Sequence, residues 1–278
     1  MEVKAIALDI DGTLTDDSKR ITPRTKEALL EAERKGVRLI LASGRPAHGL
    51  RRIARELELE SHGGMLLAYN GAQVRDAATG ELLFDQPMSE GDARAVLAHM
   101  RNFDVIPMLV DGDRLYVEDA YRCEILHKGV AKNIIKYERD MCDLRVHEVR
   151  DIVGWCRLPQ DKVLVAGTDT YLAEHHAEMA APFSDHLCCT FTADFYFEFT
   201  APGIDKANAL SKALPQRGID ISEVVAFGDG QNDASMLAAA GMGVAMGNAV
   251  KEARDAADMI TATNNEDGIA RALEKLLP

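Results

Sequence analysis

The sequence has no uninterrupted apolar run of about 18 residues, the length a bilayer-crossing helix requires, so no membrane span is expected. It opens Met-Glu-Val-Lys and passes straight into a short apolar strand. The basic start, long apolar stretch and small-residue cleavage site of a secretion signal are missing. Five cysteines, at 123, 142, 156, 188 and 189, are odd in number, and no pair has the spacing of a zinc ribbon or a redox motif. They are expected to be buried or inert thiols in a reducing cytoplasm. Basic charge is also lacking. A formal net charge of -13 disfavours a general nucleic-acid binder, although a small site around a cation can still be locally positive. No Gly-rich loop ends in Gly-Lys-Ser/Thr, which excludes a P-loop kinase. There is no internal repeat and no low-complexity stretch. What remains is an ordinary globular balance, 47% hydrophobic and 28% charged over 278 residues, expected to be a soluble cytoplasmic protein of two domains or one large one.

Val3 to Ile10 reads as a strand buried on both faces. A helix is expected from Pro23 to Lys35, capped by Thr22 and stopped by Gly36. Val37 to Ala42 is a second strand, residues 46–57 a helix and Met65 to Tyr69 a third strand. This alternation predicts a parallel sheet covered by helices. The rhythm then changes. Short strands are expected at 72–74 and 82–84, followed by a mixed region with a hairpin about Asp111-Gly112, a helix capped by Ser89 and running to Met100, and another over 168–180. The opening pattern returns with strands at 224–227 and 242–245 and helices at 232–240, 250–257 and near the end. A split α/β core carrying an inserted α+β domain accounts for this order.

Three strand ends carry chemistry. The first is Asp9-Ile10-Asp11-Gly12-Thr13. Two carboxylates one residue apart lie within about 7 Å along an extended chain, at roughly 3.3 Å per residue, and a divalent cation relieves their repulsion. Taken alone, this stretch is as readily a turn as a site. The second strand ends in Ser43-Gly44-Arg45, where a hydroxyl, an exposed amide and a following helix form a plausible phosphate nest; Arg45 either reaches a ligand or braces the loop. The strand at 224–227 ends in Gly228-Asp229-Gly230-Gln231-Asn232-Asp233, a second set of hard oxygen ligands. Lys206 lies at a helix start, in Gly203-Ile204-Asp205-Lys206.

Taken in order, these four constellations resemble the motifs of the haloacid dehalogenase-like (HAD) phosphatase superfamily. Asn70-Gly71-Ala72, the stretch Gly241 to Ala249 and Asn264-Asn265-Glu266-Asp267-Gly268 are similar to its Cof-type branch. The resemblance implies a Rossmann-like parallel-sheet core over residues 1–84 and 200–278, with an inserted α+β cap over 85–199 that selects substrate. Ala207 departs from the pattern, standing where the family usually has glycine.

Carried over residue by residue, the resemblance makes Asp9 the nucleophile, forming an aspartyl-phosphate, and Asp11 the general acid and base. Mg2+ would be held by the Asp9 carboxylate, the Asp11 carbonyl and Asp229, with Asp233 in support. The Ile10 amide, Ser43, Gly44, Lys206 and Asn232 would hold the phosphoryl oxygens. The expected reaction is hydrolysis of a small phosphorylated metabolite, a sugar phosphate before a phosphorylated cofactor. Asp11 separates this chemistry from that of the phosphonate-cleaving and ion-pumping members, and haloacid dehalogenation would leave the metal ligands without a role. A phosphomutase using the same Asp9, and a protein that binds phosphometabolites without turnover, stay open beside it. Arg122, His127 and Lys128 in the cap are either substrate contacts or solvated surface, and His175-His176 is read as helix surface. Oligomeric state is open.

Overall fold

The computed structural model describes residues 2–277. The chain first forms β1 (Ala5–Leu8), α1 (Pro23–Arg34), β2 (Arg38–Ala42), α2 (Ala47–Glu56), β3 (Met65–Ala68), β4 (Gln73–Asp76) and β5 (Leu82–Asp85). The Thr22 hydroxyl accepts from the Thr25 amide and so caps α1, with Pro23 in the first turn where no amide is needed. On α2, Leu50, Ile53 and Ala54 are buried at helical spacing.

The next stretch runs α3 (Glu90–Met100), β6 (Ile106–Asp111), β7 (Arg114–Val117), β8 (Glu124–His127), β9 (Val130–Asn133), α4 (Ile134–Cys142), β10 (Arg145–Glu148), α5 (Ile152–Trp155), β11 (Val163–Ala166), α6 (Asp169–Ala180), β12 (Cys188–Ala193) and β13 (Tyr196–Thr200). The last stretch adds α7 (Lys206–Ala213), β14 (Val224–Gly228), α8 (Ala234–Ala239), β15 (Met242–Ala245), α9 (Lys251–Ala256), β16 (Met259–Ile260) and α10 (Gly268–Leu276). The helix expected from 232 starts two residues later, because Gln231–Asp233 forms a 3-10 turn. None of these helices is long and apolar enough to cross a membrane.

Two compact units result, Met1–Asp85 with Asp205–Pro278, and Gln86–Ile204. In the first, the strands among the described residues form one sheet in the order β16-β15-β14-β1-β2-β3-β4-β5. Pairing is parallel from β16 to β3, and β4 and β5 are added antiparallel. Strand residues alternate between faces. Ala5, Ala7, Ile40 and Ala42 join Ala209, Leu210, Met236, Leu237 and Ala253 of α7, α8 and α9 in one cluster. Helices α1, α2 and α10, which contribute nothing to that cluster, cover the other face. A sheet buried on both sides demands the near-continuous apolar strands seen in the sequence, and all four residues of β1 are buried. This sheet also places the carboxyl ends of β1, β2 and β14 side by side at one edge, where open parallel sheets bind ligands.

Several polar side chains are buried in this unit, and one acid among them stands out. Glu33 lies on the buried stripe of α1, and neither of its carboxylate oxygens has a hydrogen-bond partner. Burial, with Glu58 nearby, pushes its carboxyl up to about 7.

The second unit holds a sheet in the order β10-β7-β6-β11-β13-β12 and a separate β8-β9 hairpin. Only the β10-β7 pair among these is parallel. Both faces are covered. Val163 and Val165 pack with Val96, Leu97, Met100 and Leu172 on the side of α3 and α6. Leu164 and Ala166 turn to the other side, with Ile134, Ile135 and Cys142 of α4. Thr200 and the residues to Ile204 belong to this unit, because β13 pairs along its length with β11 and β12.

Two polar pairs are buried in this second unit. Lys162 and Glu198 form an ion pair at 2.7 Å, each 8% exposed, and Thr192 donates a further hydrogen bond to Glu198 at 3.0 Å. The Tyr196 hydroxyl donates to Glu138 at 2.9 Å. Each buried acceptor is matched by a donor, the condition under which burying polar groups is tolerable.

Candidate active site

Asp9 follows the last residue of β1, and its amide donates to the Phe227 carbonyl at 3.0 Å, which locks the end of β1 to β14. The chain then folds back on itself. The Ile10 carbonyl accepts from the Thr15 amide and hydroxyl, both at 3.0 Å. The turn depends on Gly12, whose φ is +89° and where a Cβ would sit 2.4 Å from Asp229 Oδ2. That close approach brings Thr13 to Asp229, its hydroxyl donating to Oδ1 at 2.6 Å.

The centre of the site is Lys206, which is 0% exposed. Its ammonium donates to Asp9 Oδ1 at 2.7 Å, to Asp233 Oδ1 at 2.6 Å and to the Ala42 carbonyl at 2.8 Å. All three protons of the ammonium are therefore used. Lys206 begins α7, whose cap is the Asp205 side chain accepting from the Asn208 amide at 2.8 Å. Ala207, in place of glycine, sits in the first turn of that helix, where alanine is the better helix former. The other oxygen of Asp233 accepts from the amides of Asp229 and Gly230 at 3.0 and 2.8 Å. The lysine thus ties β1, β2 and the β14 loop together.

The electrostatics follow from counting charges. Asp9, Asp229 and Asp233 each place a carboxylate oxygen within 4.8 Å of the others. Three carboxylates against one ammonium leave two negative charges uncompensated. Burial raises the Asp9 carboxyl to about 7, with Lys206 opposing and Asp233 and Asp229 adding. Asp229 is raised for the same reason, against the Thr13 hydrogen bond. Burial alone would lower the Lys206 ammonium, but Asp9 and Asp233 hold it above its ordinary value. An all-oxygen donor set with a twofold charge deficit fits a hard divalent cation.

Asp11 stands outside this cluster. Arg45 donates to both its oxygens, with Nη2 to Oδ2 at 2.7 Å and Nε to the same oxygen at 3.1 Å, while Lys19 Nζ reaches Oδ1 at 2.8 Å. Burial works against ionisation, but Arg45 and Lys19 hold this carboxyl below its ordinary value. Arg45 therefore braces the loop. The Ser43 amide donates to the Leu67 carbonyl at 3.0 Å, and its hydroxyl accepts from the Arg45 amide at 3.3 Å. Gly44 lies against the Asn70 side chain, and Asn232 Nδ2 donates to Asn70 Oδ1 at 3.0 Å.

Asp9, Ile10, Asp11, Ser43, Gly44, Arg45, Lys206, Asp229, Asn232 and Asp233 thus fall in one unit at one sheet edge, whereas Gly203 and Ile204, which precede Lys206 in its motif, belong to the other unit. Sequence reasoning passed over Lys19 and gave no role to Thr13, Asn70 and Asn248, although each stands within a quoted motif. The last donates to the Gly12 carbonyl at 2.8 Å. Membership of those motifs is the one available signal for Thr13, Asn70 and Asn248. In the other unit, Arg122 is paired with Asp104, while His127 and Lys128 lie 3.7 Å from Asp194. His175 and His176 are half-buried against Tyr171 and Phe191 rather than standing free on the helix surface.

The family model described as haloacid dehalogenase-like hydrolase matches residues 6–273. A haloacid dehalogenase-like hydrolase from Bacteroides thetaiotaomicron superposes with a TM-score of 0.91 at 33% identity, covering 99% of this chain and 100% of that one. The HAD subclass IIB sugar phosphatase BT4131 superposes with a TM-score of 0.80 at 26% identity and 99% coverage of both chains. Bacillus subtilis YcsE, a 5-amino-6-(5-phospho-D-ribitylamino)uracil phosphatase, is 28% identical over 98% of this chain and 95% of its own length. With a family match that runs from β1 into α10, the chain belongs to the haloacid dehalogenase-like hydrolases, in their Cof-type branch.

Proposed function

We propose that this protein is a magnesium-dependent phosphatase that hydrolyses small phosphate monoesters through an aspartyl-phosphate on Asp9. The observation that carries the reading is the fully buried Lys206 holding Asp9 beside Asp233 and Asp229 with two negative charges left over. Asp9, Asp229 and the Asp11 carbonyl would hold Mg2+, with Asp233 in support; the ion supplies the positive charge that lets a carboxylate approach a phosphate.

Lys206 fixes one oxygen of Asp9, which orients the other for in-line attack on phosphorus. The bond from Asp9 to phosphorus forms as the ester bond breaks. Asp11 would give a proton to the departing oxygen and then take one from the water that cleaves the aspartyl-phosphate. For the first task it must leave Arg45 and Lys19, so the pairing described above is a resting arrangement. Ser43, Gly44, Asn232 and the Ile10 amide would receive the phosphoryl oxygens, with Lys206 balancing their charge.

The substrate class follows the relatives, one a sugar phosphatase and another acting on a phosphorylated ribitylaminouracil. We therefore place sugar phosphates first and phosphorylated cofactors or their precursors second. Selection among them is assigned to the inserted unit, residues 86–204, acting as a cap.

The test is phosphate release from a panel of monoesters, with magnesium or with EDTA, for wild type and Asp9→Asn. Release that needs magnesium and falls more than about a thousandfold in Asp9→Asn is expected. An Asp9→Asn protein that keeps its activity, with deamidation excluded by mass, would sink the nucleophile assignment.

A further inference from the structure

The turn Tyr69-Asn70-Gly71 leads from β3 to β4, and all three of its residues are left-handed, with φ of +52°, +57° and +108°. Glycine and asparagine adopt this region readily, but a bulky residue such as Tyr69, 7% exposed, does not. Backbone of this kind persists only where its surroundings over-determine it, and it gathers at functional sites.

The surroundings here are the strand-end loops of the site. The Tyr69 amide donates to the Arg45 carbonyl at 3.0 Å and the Asn70 amide to the Ser43 carbonyl at 2.9 Å. Gly71 lies so close to the residue before Lys206 that a Cβ would stand 2.4 Å from the Asp205 carbonyl oxygen. The Asn70 carboxamide accepts from Asn232 at 3.0 Å, and a Cβ on Gly44 would stand 3.0 Å from its Nδ2. A single side chain thus spans two of the groups assigned to the phosphoryl oxygens, Gly44 and Asn232. Its Oδ1 is used, whereas its Nδ2 donates to no acceptor among the described residues. A carboxamide held by its oxygen presents its nitrogen as a fixed donor.

We propose that Asn70 is a further phosphate-binding residue, donating from Nδ2 to the phosphoryl group next to Gly44 and Asn232. The left-handed turn is the device that aims it. This rests on the phosphatase reading above and adds to it a contact from outside the three strand-end loops and Lys206.

Two variants separate the side chain from the backbone. Asn70→Gly keeps the left-handed turn at little cost and deletes the carboxamide. Asn70→Asp keeps an acceptor for Asn232 but turns a carboxylate toward the phosphate in place of a donor. With magnesium and an aryl phosphate, each should lose about ten- to hundredfold in kcat/KM, the worth of one hydrogen bond to a charged group, and Asp the more. The dissociation constant of inorganic phosphate, read from its effect on the unfolding midpoint, should weaken by a similar factor. Asn70→Gly with wild-type turnover and wild-type phosphate affinity would overturn the proposal, since only the turn would then matter. An Asp variant equal to wild type would overturn it too. Should the wild type hydrolyse nothing, the phosphatase reading falls and phosphate binding alone decides. Binding by wild type that is weakened in both variants supports the role of Asn70; equal binding, or none to any of the three, ends it.

Discussion

Both units of this molecule bury a lysine against a carboxylate at 2.7 Å, yet the two pairs have opposite meanings. In the inserted unit Lys162 meets Glu198 one to one, and the nearby Glu138 has Lys132 at hand, so two ammonium groups face two carboxylates. In the other unit Lys206 serves two carboxylates with a third alongside, and the balance fails by two charges. A closed pair contributes little beyond satisfying itself, because desolvation offsets the attraction. An open set is worse than neutral until something positive arrives. Without a cation a proton serves instead: burial first, with the charges of Asp233 and Asp229 adding and Lys206 opposing, pushes the Asp9 carboxyl up to about 7. Distance and burial do not separate a structural ion pair from a reactive one; the charge sum does.

Substitution of each lysine gives the widest separation. Lys206→Met should lower phosphatase turnover by at least about a hundredfold, as loss of a donor to developing charge does. Lys162→Met should leave turnover near wild type while costing about 3–5 kcal/mol in stability, because Glu198 is left buried and unpaired. Adding Glu198→Leu to Lys162→Met should restore most of that loss, as chemical denaturation would show. If the double variant stays as unstable as the single one, the closed-pair description is wrong.

The next largest effect concerns the cation. Magnesium should stabilise the wild type by about 2.7 kcal/mol at a hundredfold excess over its dissociation constant. Asp229→Asn, which removes one of the three carboxylates, should show a much smaller shift of the unfolding midpoint. An equal shift in both proteins would place the ion elsewhere.

Glu33 is a third case, a buried acid with no partner at all. Its carboxyl is raised from about 4.5 when unfolded to about 7 when folded. The folded state therefore binds the extra proton, so this group's contribution is complete below about 4.5 and is lost as pH rises through about 7. Glu33→Met should remove that dependence and gain up to about 3 kcal/mol over wild type at pH 8, shrinking toward pH 5. Denaturation curves at the two pH values test it, and a gain that does not change with pH would refute the assignment.

Much of this is legible in the sequence. Strands buried on both faces must be apolar throughout, and a chemical group at such a strand's end stands out, so Asp9, Ser43 and Asp229 were marked by context. The Thr22 cap and the Ser89 cap, whose hydroxyl accepts from the Asp92 amide, were visible for equally local reasons. The pairing of Lys162 with Glu198 was not, since it depends on strand register between residues 36 positions apart. The β8-β9 hairpin escaped because Val130 and Leu126 lie exposed and no face alternates cleanly. Asn70 stands in the sequence as part of the Cof-type motif Asn70-Gly71-Ala72 but with no role; what gives it one is the left-handed Tyr69 before it, which no sequence pattern reveals.

The central strand of the first sheet has a consequence for biosynthesis. β1 precedes the inserted stretch in chain order, but one of its two neighbours, β14, follows it and begins only at Val224. While a ribosome extends the chain, one side of β1 stays an unpaired strand edge through synthesis of the whole stretch Gln86–Ile204, which is contiguous and can fold on its own schedule. Asp9 likewise waits for Lys206 and Asp233 to emerge. In chain order, then, the whole inserted unit is made before the strand and the lysine that complete the candidate site.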